Sequence, residues 1–310
     1  MPADFHVNGH DDLVHQAETN GVERVCGEEL RLEEVLARFR KEAVQDTFDT
    51  GRYRCRYYTW GSGPPLVFIH GLGDDALSFV LPIARLSEHF RCICYDQPKG
   101  GGDGSHLGRY HHADLVQDLI ALVDHWQLPQ AYLFGSSFGS TIALAAMHER
   151  PERFPRGVLH SGFARRPLAP AEEMLASWAR YWPWNMSSLP MRETVMTQTH
   201  YPPFAARQPE LWKFFLSRDG AIPMEAVARR ALILNHVDLR SLLPSIRQPI
   251  LMVVGDQDPL VGKSCEEVLM KGLPNATRAE LSGCGHMAQF THPEVLAEAT
   301  WRFLRPLRSV

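Results

Sequence analysis

No apolar run in the 310 residues approaches the length needed to cross a membrane; the best of them, such as residues 249–254, are strand-length. A dominant charge of either sign is missing too, since 32 Lys and Arg stand against 36 Asp and Glu for a net charge of −4. Without a basic field, neither nucleic acid nor a membrane surface is expected as a partner. Cysteine is scarce and unpatterned: Cys26, Cys55, Cys92, Cys94, Cys265 and Cys284 include no C-x-x-C pair. Cys92 and Cys94 would point to one side of a strand, a spacing that does not make a zinc pair. Free thiols in a reducing compartment are the expectation. The first twenty residues are polar and lack the apolar core of a secretory signal, so a cytoplasmic location is expected. Internal repeats and low-complexity tracts are absent as well.

What is present is an alternation of strand-like and helix-like segments. Residues 1–27 read as a tail and 28–43 as an amphipathic helix, with Leu32, Val35, Leu36 and Phe39 in one stripe. Strands are expected at 53–60, 66–69, 91–95, 131–134, 157–160, 249–254 and 278–281. Helices are expected at 77–90, at 114–126 with Asp114 as N-cap, after residue 140, and at 294–303. Such alternation predicts an α/β fold, a mostly parallel sheet wrapped by helices on both faces. Residues 164–240 break the rhythm. They are helical, punctuated by proline and rich in aromatics: Trp178, Tyr181, Trp182, Trp184, Tyr201, Phe204, Trp212, Phe214 and Phe215. The segment reads as an inserted helical cap, most of whose aromatics form its own small core while two or three face a cleft. The expected divisions are 1–46 (tail and helix), 47–163 (core), 164–240 (cap) and 241–310 (core).

The pentapeptide Gly135-Ser136-Ser137-Phe138-Gly139 sits between a strand-like and a helix-like run. In that context G-x-S-x-G marks a nucleophile elbow, a sharp turn that exposes a serine between residues without side chains. A serine hydroxyl is a poor nucleophile near neutral pH and needs a base to take its proton. A histidine in a glycine-rich loop, Gly283-Cys284-Gly285-His286, follows the last strand. Carboxylates occur in Gly255-Asp256-Gln257-Asp258-Pro259, and His70-Gly71-Leu72-Gly73 follows an earlier buried strand.

These four motifs, in this order and each at a strand end, resemble the α/β-hydrolase fold family over about residues 47–306. The resemblance implies Ser137 as nucleophile, His286 as base and Asp258 as the orienting acid, with Asp256 as the alternative acid. It implies an oxyanion hole made by the backbone N–H groups of Leu72 and Phe138. His70 is then expected to orient its loop, and Asp96 to tie down the glycine-rich turn from Lys99 to Gly104. The dehalogenases and epoxide hydrolases of this fold use an aspartate at the elbow, so Ser137 points to acyl transfer instead. The expected function is hydrolysis of a small or medium apolar carboxylic ester through an acyl-enzyme, with no metal and no organic cofactor. A carbon–carbon bond hydrolase, an acyltransferase and a non-catalytic hydrolase-like binder are the alternatives. Oligomeric state stays open.

Other motifs carry less. Gly262-Lys263-Ser264 ends like a phosphate-binding loop, but Gln257 stands where the first glycine is required. His111 and His112 are adjacent and cannot easily share a metal, so solvent-exposed side chains are expected there.

Overall fold

A computed structural model describes residues 31–199 and 203–305; the expected tail, the first residues of the expected first helix and Cys26 lie outside the described residues. Its centre is an eight-stranded sheet of order β1-β2-β4-β3-β5-β6-β7-β8. The strands are β1 (Val44–Asp49), β2 (Arg54–Trp60), β3 (Pro65–Ile69), β4 (Arg91–Tyr95), β5 (Tyr132–Ser136), β6 (Gly157–His160), β7 (Ile250–Gly255) and β8 (Ala276–Leu281). β1 and β2 pair antiparallel, β2 runs antiparallel to β4, and the remaining strands are parallel. Strands β3 to β6 are almost wholly buried, as a parallel sheet covered on both faces demands, whereas the edge strands β1 and β8 are largely exposed.

The helices of the described residues are α1 (Leu32–Glu42), α2 (Val80–Leu86), α3 (His112–His125), α4 (Phe138–Glu149), α5 (Pro170–Ala179), α6 (Arg192–Thr199), α7 (Pro203–Arg207), α8 (Pro209–Gly220), α9 (Met224–Asn235), α10 (Lys263–Gly272), α11 (Ala288–Thr291) and α12 (Pro293–Leu304). On one sheet face, Val67, Ile93 and Leu133 pack with Leu115 and Leu119 of α3 and Ile142 of α4. On the other, Phe68, Phe134 and Phe79 form an aromatic triangle with ring centroids 5.0–5.6 Å apart, and α12 packs on α2. Two local expectations change. Asp114 is not the N-cap of α3; His111 takes that place, and Asp114 accepts the His111 backbone N–H at 2.8 Å. Strand β1 was not foreseen, because its sequence VQDTFD carries no clear alternation.

Helices α5 to α9 form the helical insert between β6 and β7. Its aromatics divide into two groups. Phe204, Trp212 and Phe215 pack against one another edge-on or tilted, and Phe215 meets Phe290 of α11 edge-on. Trp178 and Tyr181 are instead 77% and 70% exposed, and Trp184 is exposed too. Helix α5 buries only Ala176, so its large side chains face outward. The expected aromatic core is therefore built by α7 and α8, not by the tryptophans around α5.

Candidate active site

Parallel strands end on one side of the sheet, and loops leaving them there converge. Register brings the ends level: Ile69 pairs with Gly135, Ser136 with His160, and Gly255 with Leu281. Residues just past β3, β5, β7 and β8 are consequently brought to one edge although they are far apart in sequence.

Ser137 links β5 to α4 with φ 50° and ψ −118°, a left-handed conformation that costs a non-glycine residue energy. Three bonds hold it there. Its N–H donates to the His160 carbonyl at 2.8 Å, and its own carbonyl accepts from Ser140 N–H at 2.9 Å and Ser140 Oγ at 2.6 Å. The flanking glycines serve close approach: neither has a positive φ, but a Cβ on Gly135 would lie 2.7 Å from the Gly139 carbonyl oxygen. On Gly139 it would collide with the Ile69 carbonyl and lie 2.7 Å from that of His70. The strain sits on the serine, and the glycines let α4 close against β3. Phe138 opens α4, where N–H groups have no intrahelical acceptor.

Asp258, in the loop after β7, approaches His286, in the loop after β8, with Oδ2 to Nδ1 at 2.8 Å. Its Oδ1 accepts backbone N–H groups of Leu260 (2.8 Å) and Val261 (3.0 Å), which fixes the carboxylate. Burial pushes the Asp258 carboxyl up, but His286 and these N–H donors outweigh it and hold it well below the ordinary carboxylate range. Asp256 points elsewhere and accepts the Cys284 N–H at 3.1 Å, bracing the loop that carries His286. Of the two carboxylates considered, only Asp258 meets the histidine.

Behind the elbow, Ser136 Oγ lies 3.0 Å from His160 Nδ1, both residues buried. Burial lowers His160 to about 3, so the imidazole is neutral. His70 is buried and ties two loops together. Its Nε2 accepts the Gln97 N–H at 3.0 Å, its Nδ1 is 2.9 Å from the Gly71 carbonyl, and its own carbonyl accepts Gln97 Nε2 at 2.6 Å. With Nε2 accepting, the proton is assigned to Nδ1. Asp96 accepts from Arg56 Nε, Lys99 Nζ and the Ala76 N–H at 2.9–3.1 Å. His112 is not solvent-exposed as expected: its Nε2 lies 2.9 Å from Thr141 Oγ1 on α4.

Sequence reasoning missed what the insert contributes. Arg230 of α9, only 3% exposed, donates to the carbonyls of Leu72 (2.8 Å), Pro98 (3.1 Å) and Gln97 (3.3 Å). Arg218 of α8 pairs with Asp75. Asp219 pairs with Arg192 at 2.5 Å, and a Cβ on Gly73 would lie 3.2 Å from Asp219 Oδ1. Asp74 is buried, and burial pushes its carboxyl up to about 6. A Cβ on Gly71 would lie 3.0 Å from Asp74 Oδ2 and 3.4 Å from Ser137 Cβ, so this carboxyl stands beside Ser137. No sequence motif marks these residues. Between the His70–Asp75 loop, the loop after β4 and the insert lies a cavity of about 290 Å³ with charged walls. Among the described residues, no group of three or more His, Cys, Asp and Glu is arranged to hold a metal ion.

Comparison with known proteins agrees with this architecture. A family model described as alpha/beta hydrolase fold matches residues 64–293. The chain is 28% identical over 258 residues to 3-oxoadipate enol-lactonase 2 of Acinetobacter baylyi, covering 82% of this chain and 94% of that protein. A thermophilic esterase of Thermogutta terrifontis superposes with a TM-score of 0.74 at 23% identity, over 85% of this chain and 98% of that one. The 2-hydroxy-6-oxo-6-phenylhexa-2,4-dienoate hydrolase of Rhodococcus sp. strain RHA1 gives 0.71 at 22% identity, over 86% and 99%. The two structural likenesses speak for the fold alone.

Proposed function

The chain belongs to the α/β-hydrolase fold family, and on that premise we propose that it is a serine hydrolase cleaving carboxylic esters, cyclic esters included, through Ser137, His286 and Asp258. The observation that carries the reading is the 2.8 Å contact between Asp258 and His286, formed at the same sheet edge as the strained Ser137. The ester as bond type is further supported by the enol-lactonase among the similar proteins.

Each residue has a defined part. Asp258 accepts a hydrogen bond from Nδ1–H of His286, which leaves Nε2 as the basic nitrogen, and its negative charge stabilises the imidazolium that forms later. Ser137 Oγ attacks the carbonyl carbon as His286 takes its proton. The oxyanion falls to the N–H groups of Leu72 and Phe138, aided by the N-terminal dipole of α4. Collapse expels the alcohol, which receives the proton from His286. Water, deprotonated by His286, then attacks the acyl-serine and releases the acid. Every proton transfer passes through His286, so the cycle needs no other titrating group.

The test is turnover of p-nitrophenyl esters of graded chain length by wild type, Ser137→Ala and His286→Ala, with fluorophosphonate labelling followed by mass spectrometry. Each variant is expected to lose roughly 10⁵- to 10⁶-fold in kcat, and the label is expected on Ser137. Turnover that survives Ser137→Ala, or a wild type that neither turns over nor labels, would sink the reading.

A further inference from the structure

We propose that the charged cavity beside the His70–Asp75 loop holds a carboxylate carried by the substrate, so that the acid released by hydrolysis bears a second, free carboxylate. The inference deepens the serine-hydrolase reading and rests on it. It replaces the expected small or medium apolar ester with a small anionic one.

The first argument is charge. Arg56, Lys99, Arg218 and Arg230 line the cavity together with three carboxylates. Two of those carboxylates are already engaged: Asp96 by Arg56 and Lys99, and Asp75 by Arg218. Arg230 has neutral acceptors only, the three backbone carbonyls of Leu72, Gln97 and Pro98. The carboxylates of Asp96, Asp74 and Asp75 act on its charge from across the cavity but none bonds to it, and two of them are shared with other cations, so an anion entering the cavity would complete its pairing.

The second argument is unmet hydrogen bonding. Arg230 Nε and Arg218 Nε are buried donors without a partner among the described residues, and Gln97 Oε1 is a buried acceptor without one. Groups of this kind are usually satisfied in native proteins, so their gathering around one cavity points to a ligand. Donors are in excess, and a carboxylate supplies only acceptors.

The third argument is position and size. Asp74 belongs to the cavity wall and also stands across the Gly71 space from Ser137, so one wall of the cavity lies close to Ser137, although neither Ser137 nor His286 lines it. About 290 Å³ lies at the small end of ligand sites and suits an acid of a few carbons. Asp74 itself, already pushed up to about 6 by burial, takes a proton readily when an anion approaches and becomes a donor to it.

Two measurements test this. Calorimetric titration of the Ser137→Ala protein with glutarate is expected to show saturable binding, with none for the neutral glutaramide. Arg218→Gln in that background is expected to weaken glutarate roughly 10- to 100-fold, and Arg218→Lys to recover part of it. In wild type, the mono-p-nitrophenyl ester of glutarate is expected to exceed p-nitrophenyl pentanoate in kcat/KM by a similar factor. That ratio should fall toward one in Arg218→Gln, and in Lys99→Met should the first variant not fold. Absence of glutarate binding, or a Ser137-dependent preference for the neutral ester, would overturn the proposal and leave the network as a clasp between the insert and the loops. Glutarate binding with both esters inert would instead remove the hydrolase reading while the anion site stands.

Discussion

Arg230 Nη1 donates to the carbonyl oxygen of Leu72 at 2.8 Å, so a buried cation of the helical insert pins the residue whose own N–H is assigned to the oxyanion hole. The same guanidinium holds the Gln97 and Pro98 carbonyls and thereby joins the loops after β3 and β4. Burial lowers Arg230 to about 10, which still leaves it charged at neutral pH.

Arg230→Met is therefore expected to disturb the position of the Leu72 N–H without removing any group that touches the reacting atoms. Complete loss of an oxyanion donor costs ~10²–10³ in kcat, so a displaced donor is expected to cost roughly 10- to 100-fold. On a neutral p-nitrophenyl ester the loss should fall on kcat, with KM nearly unchanged, and Arg230→Lys should recover part of it. A rise in KM at constant kcat would show that Arg230 contributes substrate binding alone.

Ser136→Ala serves as the control for the choice of nucleophile. Ser136 is buried and its hydroxyl is bonded to His160. The substitution strands His160 Nδ1, at a stability cost of about 1–3 kcal/mol. Activity of the folded protein is expected to stay within about tenfold of wild type, because the site retains its proposed nucleophile, base and oxyanion donors. Chemical denaturation and initial rates check the two halves separately.

Gly139→Ala is expected to push α4 away from β3, since the added carbon meets the carbonyls of Ile69 and His70. Backbone atoms cannot swing aside as a side chain would. Overpacking of this sort costs about 1–3 kcal/mol, and because Phe138 N–H moves with the helix, activity should fall as well. A melting temperature equal to wild type would show that the elbow has room the structure does not.

Acid is expected to destabilise the fold, and the sign follows from groups that titrate differently folded and unfolded. Burial lowers His70 and His160 to about 3 and His112 to about 4, from an ordinary value of 6.5. Their contribution is complete above pH 6.5 and is lost as pH falls through that window, because the unfolded chain binds protons the folded one refuses. Asp74 and Asp219 act oppositely. Burial raises them to about 6 and about 7 from 3.8, so the folded state takes up protons first and stability is recovered between about pH 7 and 4. Three histidines outweigh two carboxyls, and Asp258, held low, loses its contribution below pH 4. The melting temperature should fall from pH 7 to 4, and more steeply in Asp219→Asn, which removes one compensating group. A shallower slope in that variant would contradict the assignment.

What the sequence determined by itself is whatever depends on neighbours along the chain. The run from Tyr132 through Gly139 into α4 specifies strand, turn and helix locally, so the elbow and its serine were legible without coordinates. The alternation of buried runs with amphipathic segments likewise specified a mostly parallel sheet, since only strands covered on both faces are apolar throughout. Order along the chain also placed Ser137, Asp258 and His286 at the ends of strands. The choice of Asp258 over Asp256 came from the family resemblance and not from the local pattern, because both lie in one tight turn and only the path of that turn aims one carboxylate at Nδ1. Nor did sequence reveal Arg230. An arginine in a helix reads as a solvated side chain, and it becomes a buried clamp on Leu72 only when α9 packs over two loops that lie more than 130 residues earlier. Contacts of that reach leave no periodic trace, because they are set by how the insert settles on the sheet edge rather than by any local preference.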